Sequence, residues 1–295
     1  MPAPEGLALL QFPFMQRALL AGLFSGGLGG LLGSVAVLRQ LSFFSDALGH
    51  SALLGISLGV LLGVEPTLVL IPFAVLFALL VGQLVERSRL PGDALLNIIY
   101  SSSLAIAVVV LRLVSARAGS LEQLLFGDIL GVSWRDVSLQ GLLLLAVLAY
   151  LLLTRRSQIL VSLDAGLAVS QGVAVAWQRL AFVVVLAVVV ALSIKAVGVL
   201  LISAFVVIPA CAARLLARGF GSYMALASGL GAGCGLLGLL ASGWLNLPSG
   251  PCVVIVQFTG FLLALLVSVR RPGPPLGRSP AAAPGSPPPG TAGAG

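Results

Sequence analysis

The chain has a single histidine, His50, and little charge: 8% of its 295 residues are Asp, Glu, Lys or Arg. Any imidazole chemistry must pass through that one residue. A serine hydrolase would use it as general base, yet no GxSxG elbow is present, and the neighbouring Ser51 would project about 100° away on a helix. No GxxxxGK[ST] run occurs, so the chain carries no P-loop of its own. The three cysteines, Cys211, Cys234 and Cys252, fall in or beside apolar runs at spacings that match no zinc pattern. They read as small buried hydrophobes. The basic residues are scattered and form no face interleaved with aromatics, which removes a nucleic-acid partner despite a net charge of +7. No basic stretch precedes the first apolar run, where Glu5 is the only charged side chain before Arg17, so a cleaved signal peptide is not expected. No internal repeat is evident.

What the chain has instead is apolar length. Hydrophobic residues make up 59%, and mean hydropathy is +1.15. Apolar segments at roughly 17–38, 45–63, 66–85, 94–114, 138–154, 179–195, 197–216, 222–241 and 251–269 approach the ~20 residues of a bilayer-crossing helix. Long unbroken segments rather than short alternating ones exclude a β-barrel. The 36 glycines suit close helix packing in lipid. The expected fold is therefore all-α: a polytopic transmembrane bundle of eight or nine helices. The interval from Lys195 to Gly198 barely separates two segments, so half-helices or re-entrant pieces are expected among them. Residues 1–16 read as an N-terminal, interfacial segment and 17–271 as the membrane domain. The tail 272–295 is almost entirely Pro, Gly, Ala and Ser. It cannot bury a core and is expected to be disordered.

Placing the C-terminus inside puts eleven of the sixteen basic residues on the cytoplasmic side. Only Arg17, Arg112, Arg117, Arg135 and Lys195 then lie outside. Nine crossings put the N-terminus outside, and eight put it inside. The 115–137 stretch would face outward. The 155–178 stretch would face the cytoplasm, with a short helix over 164–172.

Within this apolar background, Asp46 precedes His50 by four residues in Ser45-Asp46-Ala47-Leu48-Gly49-His50-Ser51. On a helix that spacing places carboxylate and imidazole on one face, a turn apart. Ionisable residues inside a membrane segment are costly and mark function by default. Two readings remain open. Asp46 can cap the second helix while His50 bonds a neighbouring carbonyl, or the pair can hold a metal ion. If the helix ends at Gly63, His50 lies roughly 20 Å from that outer end, in the inner half of the membrane. Two ligands do not close a divalent site, so other residues or waters must contribute.

The run from Leu38 to Gly55, with Arg39 followed by Asp46-Ala47-Leu48-Gly49-His50-Ser51-Ala52, resembles the arginine-then-DALSHA signature of the zinc/manganese ABC-transporter permeases. Three further elements follow in that family's order. Leu125-Phe126-Gly127-Asp128-Ile129-Leu130 is similar to its LFG element. Lys195-Ala196-Val197-Gly198-Val199-Leu200-Leu201, followed by Ile208-Pro209-Ala210 and Ala213-Arg214-Leu215-Leu216, is similar to its KxVGxLL and IPAxxARLL segments. Leu245-Asn246-Leu247-Pro248-Ser249-Gly250-Pro251 is similar to its LPSG turn. The resemblance covers about residues 17 to 270.

It implies a multi-pass permease of the cell's inner or plasma membrane that does not hydrolyse ATP. It also implies a second copy of the chain as homodimer partner, a separate ATP-binding subunit, and an extracytoplasmic metal-binding protein. Zn²⁺ or Mn²⁺ would pass as cargo, with no cofactor bound stably. The residues handling metal would be Asp46 and His50. The segment Leu163–Gly172 occupies the place of the coupling helix, with Asp164, Gly166, Gln171 and Gly172 as its ATPase-coupling positions. Ala165, Gly166 and Leu167 depart from the family pattern there, and Gly166 costs about 1 kcal/mol of helix stability against alanine. Leu54 stands where a proline is usual, which predicts a straighter second helix beyond His50. Two alternatives are a metal-chelate permease of the same architecture and an ion-coupled secondary transporter using Asp46 and His50 as a proton relay.

Overall fold

The computed structural model describes residues 12–88, 90–113, 127–199 and 201–270. The tail 272–295, residues 1–11, Leu125, Phe126 and Leu200 lie outside the described residues, and with them the expected disordered tail and most of the expected interfacial segment 1–16, whose last four residues, 13–16, are helical. The described chain contains no strand. Its helices are α1 (Pro13–Leu38), α2 (Ser42–Leu62), α3 (Pro66–Arg87), α4 (Gly92–Leu113), α5 (Trp134–Leu153), α6 (Arg155–Leu163), α7 (Ala165–Ser170), α8 (Val175–Val197), α9 (Ile202–Leu216), α10 (Phe220–Leu245) and α11 (Ser249–Arg270). Eight are long and apolar enough to cross a membrane, and α9 is a shorter apolar helix of 15 residues. The fold is the expected all-α polytopic bundle.

Helix ends depart from the hydropathy limits wherever a polar first turn is held by local bonds. The helix expected from 138 begins at Trp134, because Ser133 Oγ accepts the Asp136 N–H while Asp136 Oδ2 accepts the Ser133 N–H. Likewise α1 starts at Pro13 rather than 17, with proline at a position that needs no N–H donor. At the other end of a helix, Asn246 adopts φ 52° to close α10, and Ser242 Oγ donates to the Leu247 carbonyl at 2.6 Å in the LPSG turn.

The chain runs between two ends of the bundle. One end gathers Leu38, Ser162, Leu163, Arg214 and Arg218, which line one cavity. At the other, the Lys195 ammonium meets the Asp136 carboxylate at 2.9 Å. Although short (about 22 Å at 1.5 Å per residue), α9 returns the chain from the second end to the first after the non-helical Gly198–Val199 turn. The start of α1 and the end of α11 therefore lie at opposite ends, which is the nine-crossing alternative.

The most deeply buried helix is α1, and glycine makes that possible. Gly22, Gly26 and Gly30 recur every fourth residue and face α10, where Gly235, Gly231 and Ala227 present backbone in return. A Cβ at Gly26 or Gly30 would overlap the carbonyl of Gly231 or Ala227. On a neighbouring face, Gly29 and Gly33 admit the Phe205 and Val206 carbonyls of α9. Without a hydrophobic force between helices in lipid, such backbone approach is the main source of packing energy. Ser228 Oγ adds a bond to the Gly27 carbonyl at 3.2 Å.

Two of the sequence elements meet at the Lys195 end. Gly127, at φ 74°, lies so close to Val197 and Gly198 that no side chain fits, and the Asp128 N–H donates to the Lys195 carbonyl at 3.2 Å. Gly198 itself takes φ 88°. Lys195 is more than half exposed, so its ion pair contributes less than about 1 kcal/mol. The backbone contacts are what join the two elements.

Candidate functional site

Asp46 is the fifth residue of α2, whose N-cap is Leu41. The capping alternative is thereby removed: the carboxylate is free of any N-terminal backbone duty. α2 runs unbroken from Ser42 to Leu62. His50 Nδ1 lies 3.0 Å from the Asp46 carbonyl oxygen and 3.6 Å from Asp46 Oδ1. An imidazole that donates Nδ1–H to a backbone carbonyl carries its lone pair on Nε2, the arrangement typical of a metal-ligating histidine. The Asp46 and His50 side chains are 29% and 13% exposed. The pair is thus neither sealed in the core nor spread on the lipid surface.

The side chain against His50 comes from α4. The Tyr100 ring packs edge-on to the imidazole with centroids 4.8 Å apart, and Phe43 packs edge-on to Tyr100 at 6.3 Å. These contacts limit the rotation of His50. The same helix exposes Asp93, Asn97 and Ser101 at four-residue spacing, a polar stripe that lipid would not tolerate and that needs water or protein beside it. On the other side, a Cβ at Gly49 would stand 3.0 Å from Ile202 Cγ2 and 3.1 Å from the Val199 carbonyl. The break between α8 and α9 therefore lies one residue from His50. Sequence reasoning missed Tyr100. A tyrosine leading Ser101-Ser102-Ser103 inside an apolar run was a visible signal, but its partner was not. Among the described residues no group of three or more His, Cys, Asp and Glu could hold a metal ion.

The residues expected to couple to an ATPase form a second constellation at the Arg39 end. The structure divides the expected 164–172 helix into α7 and its flanks, and adds α6, a nine-residue helix that hydropathy did not mark. Asp164 caps α7, its Oδ1 accepting the Leu167 N–H at 2.9 Å. A Cβ at Gly166 would stand 3.1 Å from that same oxygen, so glycine leaves the cap room. Gln171 ends α7, and its Oε1 accepts from Arg156 Nη2 at 3.2 Å. Gly172 turns the chain at φ 76°, with the Val173 N–H donating to the Ala168 carbonyl at 3.0 Å. Outward from this frame, Leu163, Leu167 and Val169 are 75%, 48% and 63% exposed. Asp46 and His50 are thus brought together on α2, while Asp164, Gly166, Gln171 and Gly172 form a separate group on α7 and its caps.

Eight helices long and apolar enough to cross a bilayer define a polytopic membrane protein, with a carboxylate–imidazole pair inside one of its helices. The chain matches the ABC 3 transport family over residues 11–268 and belongs to that family. The manganese import system permease protein ScaB of Streptococcus parasanguinis is 32% identical over 263 residues, covering 89% of this chain and 94% of that protein. The high-affinity zinc uptake system membrane protein ZnuB of Haemophilus influenzae is 32% identical over 265 residues, 88% and 99% of the two chains. A solved structure of PsaBC from Streptococcus pneumoniae in complex with Fab superposes with a TM-score of 0.78 at 28% identity, covering 88% of this chain and 94% of that one. The protein is a multi-pass ABC-transporter permease.

Proposed function

We propose that this chain is the membrane-spanning subunit of an ATP-driven importer of a divalent transition metal, Zn²⁺ or Mn²⁺. The observation that carries the reading is the His50 imidazole beside the Asp46 carboxylate within an apolar helix, with Nδ1 turned to Asp46 and Nε2 left free of that contact. One imidazole and one carboxylate are borderline in softness and suit either ion, since imidazole favours the later metals and oxygen favours manganese. Relatives named for manganese and for zinc support the same pair of cargoes. Few ligands also suit passage, because a site that must release its ion cannot bind it as tightly as a storage site.

A second copy of the chain fits beside the polar stripe of α4, which would otherwise meet lipid. With the α6–α7 end in the cytoplasm, as the arginine distribution requires, the exposed Leu163, Leu167 and Val169 would seat in a groove of a separate ATP-binding subunit. An extracytoplasmic metal-binding protein would deliver the ion to the opposite, Lys195 end.

The test is reconstitution of the permease in proteoliposomes with its ATP-binding and metal-binding partners, following radiolabelled Zn²⁺ and Mn²⁺. Uptake that requires ATP is expected. Uptake driven by a proton gradient alone would instead establish the secondary transporter. For the docking face, Val169→Asp should leave the permease folded, since the residue is 63% exposed. It should weaken capture of the ATP-binding subunit by at least about tenfold, the effect of a charge placed in an apolar docking contact. Unchanged co-purification would place the ATPase elsewhere.

A further inference from the structure

Beside α6, a buried polar network does work that neither metal handling nor docking explains. Gln158 is fully buried. Its Nε2 donates to the Tyr150 hydroxyl at 3.0 Å and to Thr154 Oγ1 at 3.1 Å. Its Oε1 accepts from Arg39 Nη2 at 2.6 Å. Every polar atom of the amide is engaged, and the acceptor depends on Arg39. Buried polar networks of this kind are costly when half satisfied.

Arg39 lies in the connection between α1 and α2. The Leu41 N–H donates to the Ala36 carbonyl at 2.8 Å, the Gln40 N–H donates to Val37 at 3.3 Å, and Gln40 takes φ 57°. This closed turn leads directly into Ser42, the first residue of α2, so displacement of Arg39 is transmitted to the helix that holds Asp46 and His50. Gln158 sits in the middle of α6, the helix that precedes the capped α7.

The guanidinium is gripped firmly at one point only. Its contacts with Ser162 Oγ and the Gln178 carbonyl are both 3.5 Å, at the limit of a hydrogen bond. It also lies over the Phe182 ring, 4.9 Å from the centroid. Burial lowers its pKa to about 10, and no carboxylate among the described residues forms an ion pair with it. Next to it opens a cavity of about 580 Å³ that Arg39 shares with Phe44, Arg179 and Val183. The side chain can thus change partners without displacing packed neighbours.

We propose that the Arg39–Gln158 contact is the joint through which movement of α6 and α7 reaches α2. Arg39 and Gln158 are then positioning residues that touch neither metal nor ATP. The inference rests on the permease reading and adds to it a specific route for coupling. Its physical basis is one short bond between two rigid parts, flanked by weak contacts and free volume. The free volume beside the guanidinium leaves room for a second arrangement, as an element that couples two sites requires.

The experiment uses the complete reconstituted transporter and reads ATP hydrolysed per metal ion imported. Gln158→Leu removes the acceptor and should raise that ratio about tenfold while ATP hydrolysis persists, within the range of coupling changes made by residues remote from both ligands. Gln158→Glu keeps an acceptor for Arg39 and should stay within about threefold of the wild type. Combining Arg39→Met with Gln158→Leu should be no worse than the more severe single change, as expected for two residues that share one contact. Should Gln158→Leu fail to assemble, Arg39→Lys, which keeps the charge and gives up the fork, carries the same expectation. Leu and Glu variants that behave alike, or additive single changes, overturn the joint while leaving the transport reading intact. A wild-type complex that imports no metal with ATP overturns both.

Discussion

Replacing Asp46 by asparagine or His50 by alanine is expected to lower ATP-dependent uptake of Zn²⁺ and Mn²⁺ by at least about a hundredfold. Loss of mere outer-shell partners of a metal already costs ten- to a hundredfold, and the proposed role puts these two residues in direct contact with the ion. Neither change should unfold the protein. Asp46 caps nothing, and the bond of His50 is to a carbonyl of its own helix. Hydrolysis of ATP by the assembled complex should therefore survive while uptake does not. If both variants import at wild-type rates with unchanged metal preference, the pair is not the pathway site. Tyr100→Ala makes a finer test. Removing the ring that packs on His50 at 4.8 Å frees the imidazole, and a reduction of about two- to tenfold follows from the worth of one aromatic contact.

The second large effect concerns stability. Gly30→Leu or Gly26→Leu should prevent α1 from seating against α10, because even a Cβ there would overlap the Ala227 or Gly231 carbonyl. Backbone cannot give way as a flexible side chain can, so the cost exceeds about 3 kcal/mol, beyond the usual range for overpacking. Little folded permease should then be recovered in detergent. Glycines of α10 itself provide the control. Gly231→Ala meets the Gly26 carbonyl and should lower the melting temperature. Gly229→Ala meets nothing within 4 Å and should hold or raise it, since alanine favours the helix by about 1 kcal/mol. Equal melting of the two alanine variants would mean that α1 and α10 are not in backbone contact.

Much of this was legible in the sequence for a definite reason. In lipid a backbone must satisfy its own hydrogen bonds, so apolar length implies helix almost without ambiguity. The eight long helices therefore fall close to the apolar segments. Where limits moved, as at Trp134 and Pro13, a polar cap or an N-terminal proline extended the helix beyond its apolar core. Hydropathy cannot register that. It also passed over α6, because Arg155-Arg156-Ser157-Gln158 is polar and the helix lies outside the apolar runs.

The candidate site divides along the same line. The i,i+4 relation of Asp46 and His50 is local, so the spacing alone placed them on one face once the segment was helical. Whether Asp46 capped that helix depended on where it began, three residues before Ser45, and only the folded chain decided it. Tyr100 against His50, Gln158 against Arg39 and Val199 against Gly49 join residues from different helices. No periodicity encodes such pairs, which arise from how the helices cross.

By itself, then, the sequence determined a membrane bundle, its approximate helix limits, the carboxylate–imidazole pair, and the ordered motifs by which the family is known. Tertiary structure decided which glycines bear backbone, how the short α9 completes its passage, and what surrounds the lone histidine. The reason is physical. Solvation by lipid acts on each segment separately and can be read along the chain, whereas close packing acts between segments and exists only once they have met.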